Sequence, residues 1–421
     1  MRWIPASIVA VGMLLALPPA HAKESAKWVG SWACSPQLVE PQNRPPDPGL
    51  AGNTLRQVVH GTLGGAQIRL RFSNEFGATP LTLTSVHVAI SSSAGGIRPE
   101  TDRAVTFAGR PSVTIPGGAL MFSDPIAFPI AALSDLAVTF QTGSVPDGIT
   151  GHPGSRETSY LASGAQVSSP MLADAVTTDH WYILDGVDVE ASTDAAAVVT
   201  LGDSITDGRG SITNQNTRWP DYLARNLAAD ERLRGVAVLN QGIGGNRILR
   251  DGLGPNALSR FDRDVIAQSG VRWVLVFEGV NDVGGTKAST DSEQASTVAD
   301  DLIAAYQQFI LRAHTHGLRI YGATITPFGK SFYFSDATET ARQKVNAWIR
   351  TSGQFDAVVD FDKAVRDPTE PAQLAPDTDS GDHLHLNSDG YKRMAAAIDL
   401  KLFANEEPLN KQRAQRKELQ H

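Results

Sequence analysis

Cysteine is almost missing from this chain: Cys34 is the only one in 421 residues, so no intramolecular disulfide can form. The residues before it, Gly30, Ser31, Trp32 and Ala33, lack the leucine that a lipidation motif carries, so Cys34 reads as a small buried thiol. Charge is also sparse. Charged residues make up 19% of the chain, acids exceed bases by 45 to 37, and the net charge is −8. No Lys/Arg-rich stripe interleaved with aromatics is present, which excludes nucleic acid or an anionic membrane as the main partner. A neutral or weakly charged substrate fits this balance better. Internal repeats and low-complexity segments are absent, and after the N-terminal segment no apolar run is long enough to span a bilayer, which excludes stable membrane insertion. What remains is a globular composition, 41% hydrophobic, in a chain too long for one ordinary core, so two domains are expected.

The N-terminus sets the expected compartment. Arg2 gives a positive start, Ile4 to Leu17 is nearly all apolar, and Ala20-His21-Ala22 has the small-x-small pattern of a signal-peptidase site. Residues 1–22 therefore read as a cleaved export signal, with an uncleaved anchor as the alternative, which predicts a periplasmic or extracellular protein.

From Trp28 to Val189 the pattern is β. Gln67 to Phe72, Leu81 to Thr84 and Val86 to Val88 alternate apolar and polar residues. Shorter runs follow at Ala104 to Phe107, Ser112 to Ile115, Leu136 to Phe140 and Trp181 to Leu184, separated by turn clusters such as Pro116-Gly117-Gly118. This spacing predicts an all-β sandwich or jelly roll over residues 23–193. The character then changes. Ala195 to Leu201 is a continuous apolar run, as a strand buried on both faces requires. Further strands are predicted at Val236 to Leu239, Val271 to Phe277, Leu318 to Thr324 and Ala357 to Asp360. Helices are predicted at Trp219 to Leu227, Ala299 to His314, Thr338 to Thr351 and Ser388 to Phe403. Strands alternating with helices predict a three-layer α/β domain with a parallel sheet over residues 194–404. Residues 405–421 read as a polar tail.

In such sheets the site lies beyond the carboxyl ends of the strands. After the first strand comes Gly202-Asp203-Ser204-Ile205, a serine on a sharp turn near a helix N-terminus, where an anion is favoured. After the second comes Asn240-Gln241-Gly242-Ile243-Gly244-Gly245-Asn246, a loop whose backbone N–H groups can face a ligand. After the third comes Glu278-Gly279-Val280-Asn281-Asp282, and just before the last helix comes Asp382-His383-Leu384-His385. Serine needs an adjacent base of fixed tautomer, and a carboxylate three residues before a histidine can reach its Nδ1. No Gly-x-Ser-x-Gly elbow is present, which argues against the α/β-hydrolase fold. Taken singly, each piece has a plainer reading, as a turn, an Asx cap or a surface histidine.

These four pieces, in this order, resemble the SGNH (GDSL-type) hydrolase family over roughly residues 195–403. The resemblance implies a carboxylic ester hydrolase with Ser204 as nucleophile, His385 as general base and Asp382 orienting the imidazole. It implies an oxyanion hole made by the Ser204 N–H, the Gly245 N–H and the Asn281 side-chain amide. No cofactor is implied. His383 and His385 have the spacing of a metal pair, yet no Asp/Glu/His cluster completes a site, so no metal is expected. The family usually has a small residue where His383 stands; the three-residue offset from Asp382 favours His385 as the base. Asp203 reads as a structural hydrogen-bond former, His314 and His316 as caps of helix carbonyls, and His60 and Trp181 as packing residues. Arg218-Trp219-Pro220 and Asn246-Arg247 fit either the cleft wall or packing and capping.

Trp28-Val29-Gly30-Ser31-Trp32, followed by a β-domain and then the Gly-Asp-Ser turn, resembles a secreted subgroup of SGNH esterases. Some of its members look like arylesterases or deacetylases of plant cell-wall polysaccharides. The expectation is a secreted serine esterase that removes small acyl groups, acetyl above all, from a small-molecule or polysaccharide ester. The alternatives are a lipase, lysophospholipase or arylesterase of the same fold, and a catalytically silent glycan-binding protein. The β-domain itself carries no comparably specific motif.

Overall fold

Seven consecutive buried residues, Ala196–Gly202, form the first strand of a five-stranded parallel sheet in the computed structural model, which describes residues 26–286 and 292–404. The export-signal and polar-tail readings lie outside the described residues. The strand is hydrogen-bonded to Val236–Gly242 on one side and Val271–Phe277 on the other, followed outward by Arg319–Ala323 and Ala357–Val359. Each crossover carries helix, including Trp219–Ala229, Ser292–Thr315 and Asp336–Thr351, so both sheet faces are covered and the strands can be apolar throughout. Chain order along the sheet reverses at Ala196–Gly202. The loops after this strand and after Val271–Phe277 therefore diverge and leave a crevice between them.

The preceding residues form antiparallel sheets. One five-stranded sheet contains Lys27–Ala33, Leu184–Ala191 and Gly65–Ser73; a seven-stranded sheet is centred on Thr54–Gly61, Ser134–Thr142 and Leu81–Ile90. Among the described residues of this region the only helices are two short 3₁₀ turns. The β region and the parallel sheet share one continuous apolar core. They are also tied by polar contacts. The Thr62 hydroxyl both donates to the Val238 carbonyl and accepts from its N–H, and Gly30 N–H donates to the Ser269 carbonyl. Cys34 is buried, with its thiol facing the Leu184 carbonyl.

Four local expectations need correction. The closing helix ends at Ala396, because the Asp399 carboxylate accepts from Lys401 N–H and starts a separate 3₁₀ turn, Leu400–Phe403. The run at Trp181 to Leu184 is broken at Ile183, whose φ of 68° sends Trp181–Tyr182 and Leu184–Ala191 into different sheets. The run at Ala104 to Phe107 forms a strand only over Arg103–Ala104, and Phe107 instead bridges to Arg110 across a turn that the Asp124 carboxylate holds at Ala108 and Gly109. His314 pairs with Asp356 at 2.9 Å instead of capping carbonyls.

Candidate active site

The first strand stops at Gly202 because nothing larger fits: a Cβ there would lie 2.2 Å from Thr206 Oγ1 and 2.6 Å from the Phe277 carbonyl. The chain then turns sharply, and Asp203 accepts from Ile205 N–H to cap the one-turn helix Ser204–Asp207. Asp203 is thus a structural element of the turn, as its sequence context suggested. The turn presents Ser204 at the crevice. Its Oγ lies 2.8 Å from His385 Nε2, and His385 Nδ1 lies 2.7 Å from Asp382 Oδ2. Asp382 Oδ1 also accepts from the N–H groups of Leu384 and His385, so one carboxylate fixes both the loop and the imidazole.

The electrostatics suit a base. Partial burial of Asp382 opposes its charge, but the His385 N–H, the imidazole and the Leu384 N–H outweigh it and hold the carboxyl at about 2. His385 is pulled below the ordinary imidazole range, first by burial and then by the charges of Arg209 and Arg156, with Asp382 acting in the opposite sense. A base in this position works only when unprotonated, so activity is expected to fall as pH drops through a value below the usual imidazole one. Arg209→Gln removes one of the lowering charges. The acid limb of its kcat/KM profile is expected to move to higher pH; an unmoved limb, or one moved the other way, would contradict this placement of the charges. His383 is held elsewhere. Its Nδ1 pairs with Asp379 at 2.6 Å, and its φ of 62° turns it away from the line of Ser204, His385 and Asp382.

The expected oxyanion donors lie in the same crevice. Gly245 (φ 70°) and Asn281 line, together with Ser204 and His385, one cleft of about 460 Å³. Asn281 Nδ2 donates to the Asn246 carbonyl at 2.8 Å, which leaves its second hydrogen for a ligand. Its Oδ1 accepts from Tyr333 O–H at 2.9 Å, which fixes the amide's orientation. Asp282 accepts from the Ile248 and Leu249 N–H groups and so fastens the glycine loop to the helix that carries Asn281. Nothing in the local pattern around Tyr333 pointed to it, since it sits in an irregular loop. Losing one neutral hydrogen bond of this kind costs about 1 kcal/mol. Tyr333→Phe is therefore expected to lower kcat about fivefold while leaving KM nearly unchanged; a rise in KM at constant kcat would assign Tyr333 to substrate binding instead.

Arg260 was also missed. Fully buried, it donates to the carbonyls of Gly202 and Gln241, to Asn246 Oδ1 and to Asp264, and so ties together the ends of the first two strands and the glycine loop. Glu278, at the end of the third strand, is only 3.4 Å from it. Burial dominates this weak contact and pushes Glu278 up to about 8, and burial likewise pushes Asp203 up to about 7. A carboxyl raised on folding stabilises the protein below its unfolded value, and this contribution is lost as pH rises through the folded one. For Glu278 the window runs from about 4.5 to about 8. Glu278→Gln should leave Tm nearly unchanged at about pH 5 and flatten its decline toward about pH 8. A large loss of Tm at the acid end would show that Glu278 is charged there.

The other sequence candidates are structural. Arg218 is buried in an ion pair with Asp221, Trp219 is fully buried, and Asn246 holds the glycine loop through the carbonyls of Leu253 and Pro255. Trp181 packs edge-on against Trp32 and donates to the Val58 carbonyl, and His60 pairs with Asp135. No group of three or more His, Cys, Asp or Glu suited to a metal ion occurs among the described residues. No helix among them is long and apolar enough to cross a membrane.

The sheet order, and a serine at its crevice beside a histidine and two amide-bearing loops, define an ester-hydrolase domain. Residues 200–393 match the model of the GDSL-like Lipase/Acylhydrolase family. Over 90 residues it is 38% identical to an acetylxylan esterase of Geobacillus stearothermophilus, covering 20% of this chain and 38% of that one. The match thus spans well under half the length of this relative. A crystal structure of an acetylxylan esterase from the same organism aligns with a TM-score of 0.38 at 22% identity, covering 50% of this chain and 95% of that chain. A GDSL-like lipase of Bacteroides thetaiotaomicron aligns with a TM-score of 0.34 at 21% identity, covering 48% and 85%.

Proposed function

We propose that this ester hydrolase removes acetyl or similarly small acyl groups from a carbohydrate, outside the cytoplasm, with Ser204 as nucleophile. The observation that carries the chemistry is the hydrogen-bonded line from Ser204 Oγ through His385 to Asp382. In this reading His385 Nε2 takes the serine proton as Oγ attacks the acyl carbon. The tetrahedral oxyanion is held by the N–H groups of Ser204 and Gly245 and by Asn281 Nδ2. His385 then protonates the departing alcohol, and water, activated by the same imidazole, releases the acid.

The preference for a short acyl group and a polar alcohol draws on the cleft lining. Gln37, Glu40, Gln42, Asn43, Arg156 and His180 of the β region form one wall, and the apolar members are few. Exposed Phe332 offers a face on which a sugar ring can stack. The acetylxylan esterase relative points the same way, and the small-x-small pattern before Lys23 supports export. The test is acetate release from a panel of acetylated oligosaccharides, run beside p-nitrophenyl acetate and octanoate. Acetate release with weak octanoate turnover is expected. Preferred octanoate hydrolysis without acetate release would favour the lipase reading.

A further inference from the structure

The cleft contains two cations that the catalytic chemistry does not use. Arg156 belongs to the β region and Arg209 to the segment just after the nucleophile turn, and both line the cleft with Ser204 and His385. The carboxylates around them are already engaged. Asp382 is bonded to His385, Asp207 to His152 of the β region at 2.9 Å, and Glu40 to the amides of Gln37 and Asn43. Arg156 reaches only Asp207 Oδ2, at 3.9 Å, and its own Nε is buried without a partner. Arg209 is exposed and has no carboxylate within ion-pair distance among the described residues.

Both arginines are held firmly at the backbone. The loop carrying Arg156 is pinned by His180 Nδ1 on the Pro153 carbonyl and by Arg218 on the Ser155 carbonyl. Arg156 keeps a left-handed φ of 52° there, a conformation that persists for a non-glycine residue only where its surroundings enforce it. Arg209 N–H donates to the Ser204 carbonyl, and its own carbonyl accepts from Tyr391 O–H. Two guanidiniums on fixed backbones face one cleft, Arg209 with no carboxylate in ion-pair distance among the described residues and Arg156 with only the 3.9 Å contact to Asp207 Oδ2, and together they make a site for an anion.

Their position says which half of the ester meets them. The departing alcohol must take its proton from His385 Nε2, so the alcohol lies on the His385 side of Ser204, away from Gly245 and Asn281. Arg209 lies beside the loop that carries His385, since a Cβ at the adjacent Gly210 would meet the Leu386 carbonyl at 2.3 Å, and Arg156 lines the same cleft. We propose that the alcohol half of the substrate carries a carboxylate, bound jointly by Arg156 and Arg209, so that the favoured substrates are acylated uronate-type sugars. This rests on the reading of Ser204 and His385 as nucleophile and base.

The test compares kcat/KM for 4-acetoxybenzoate with that for 4-acetoxybenzamide, which share acyl group and shape and differ in charge. The wild-type protein is expected to favour the anionic ester about tenfold or more at low salt, and less at high salt. Arg156→Gln and Arg209→Gln should each shrink the ratio, and the double variant should bring the two esters near parity. Equal turnover of both esters by the wild type would overturn the proposal. So would variants that lose both activities while keeping the ratio, since the arginines would then be structural. Failure to hydrolyse either ester would instead count against the Ser204 reading, and Tm values of the variants separate misfolding from all of these.

Discussion

Ser204→Ala is expected to lower kcat for p-nitrophenyl acetate by about 10⁴-fold or more while leaving Tm nearly unchanged. The size follows from what alanine removes. The hydroxyl is the atom proposed to bond to the acyl carbon, and no other hydroxyl bonds to His385 among the described residues. The oxyanion donors survive the substitution, so a residual acceleration over water of about 10³–10⁴ remains. Stability should hold because the Ser204 side chain contributes a single hydrogen bond, to His385, whereas the turn is held by Asp203 and the Ser204 backbone. Steady-state kinetics with thermal unfolding as a control check this. Turnover within a few fold of wild type would show that another group carries the chemistry.

Asn281→Ala is expected to lower kcat by about 10²–10³ with KM little changed. Its Nδ2 already gives one hydrogen to the Asn246 carbonyl, and Tyr333 holds its Oδ1, so the remaining hydrogen is preset for charge that develops only in the transition state. Such a donor contributes little to holding the neutral ground-state carbonyl. The substitution also strips partners from Asn246 and Tyr333, so Tm should be measured beside the rate. A defect confined to KM would remove Asn281 from the oxyanion hole.

The fold class was legible because each half of the chain obeys one period. Ala195 to Leu201 and Val271 to Phe277 are apolar but for Thr200 and Arg272, as a parallel strand covered on both faces requires, and Gln67 to Phe72 alternates as a half-buried antiparallel strand does. That Ser204, Gly245, Asn281, Asp382 and His385 meet at one cleft was legible because each follows a strand or precedes the last helix, where the chain reads as a motif. The groups that hold them were not. Arg260 lies inside a short helix and acts through carbonyls far away in sequence, Tyr333 acts from an irregular loop, and His152 meets Asp207 only after the two halves pack. Long-range contacts of this kind leave no periodic trace. Nor did sequence show that Arg156, in a β loop of unremarkable composition, lines the same cleft as Ser204.

That contact between the halves changes the standing of the β region. Ser35 hydrogen-bonds to the Asp264 carboxylate that Arg260 also grips, and His152 Nδ1 donates to the Ser35 carbonyl while Nε2 faces Asp207. The turn that carries Ser204 is therefore braced from outside the parallel-sheet domain.

The central claim is that Ser204 is the reacting nucleophile, and covalent labelling tests it most directly. The protein is incubated with a fluorophosphonate until esterase activity is lost, then digested and mapped by tandem mass spectrometry. The account predicts one phosphonyl adduct, on Ser204, absent from the Ser204→Ala variant. Complete inactivation with the adduct on a different residue, or full esterase activity with no adduct at all, would contradict it.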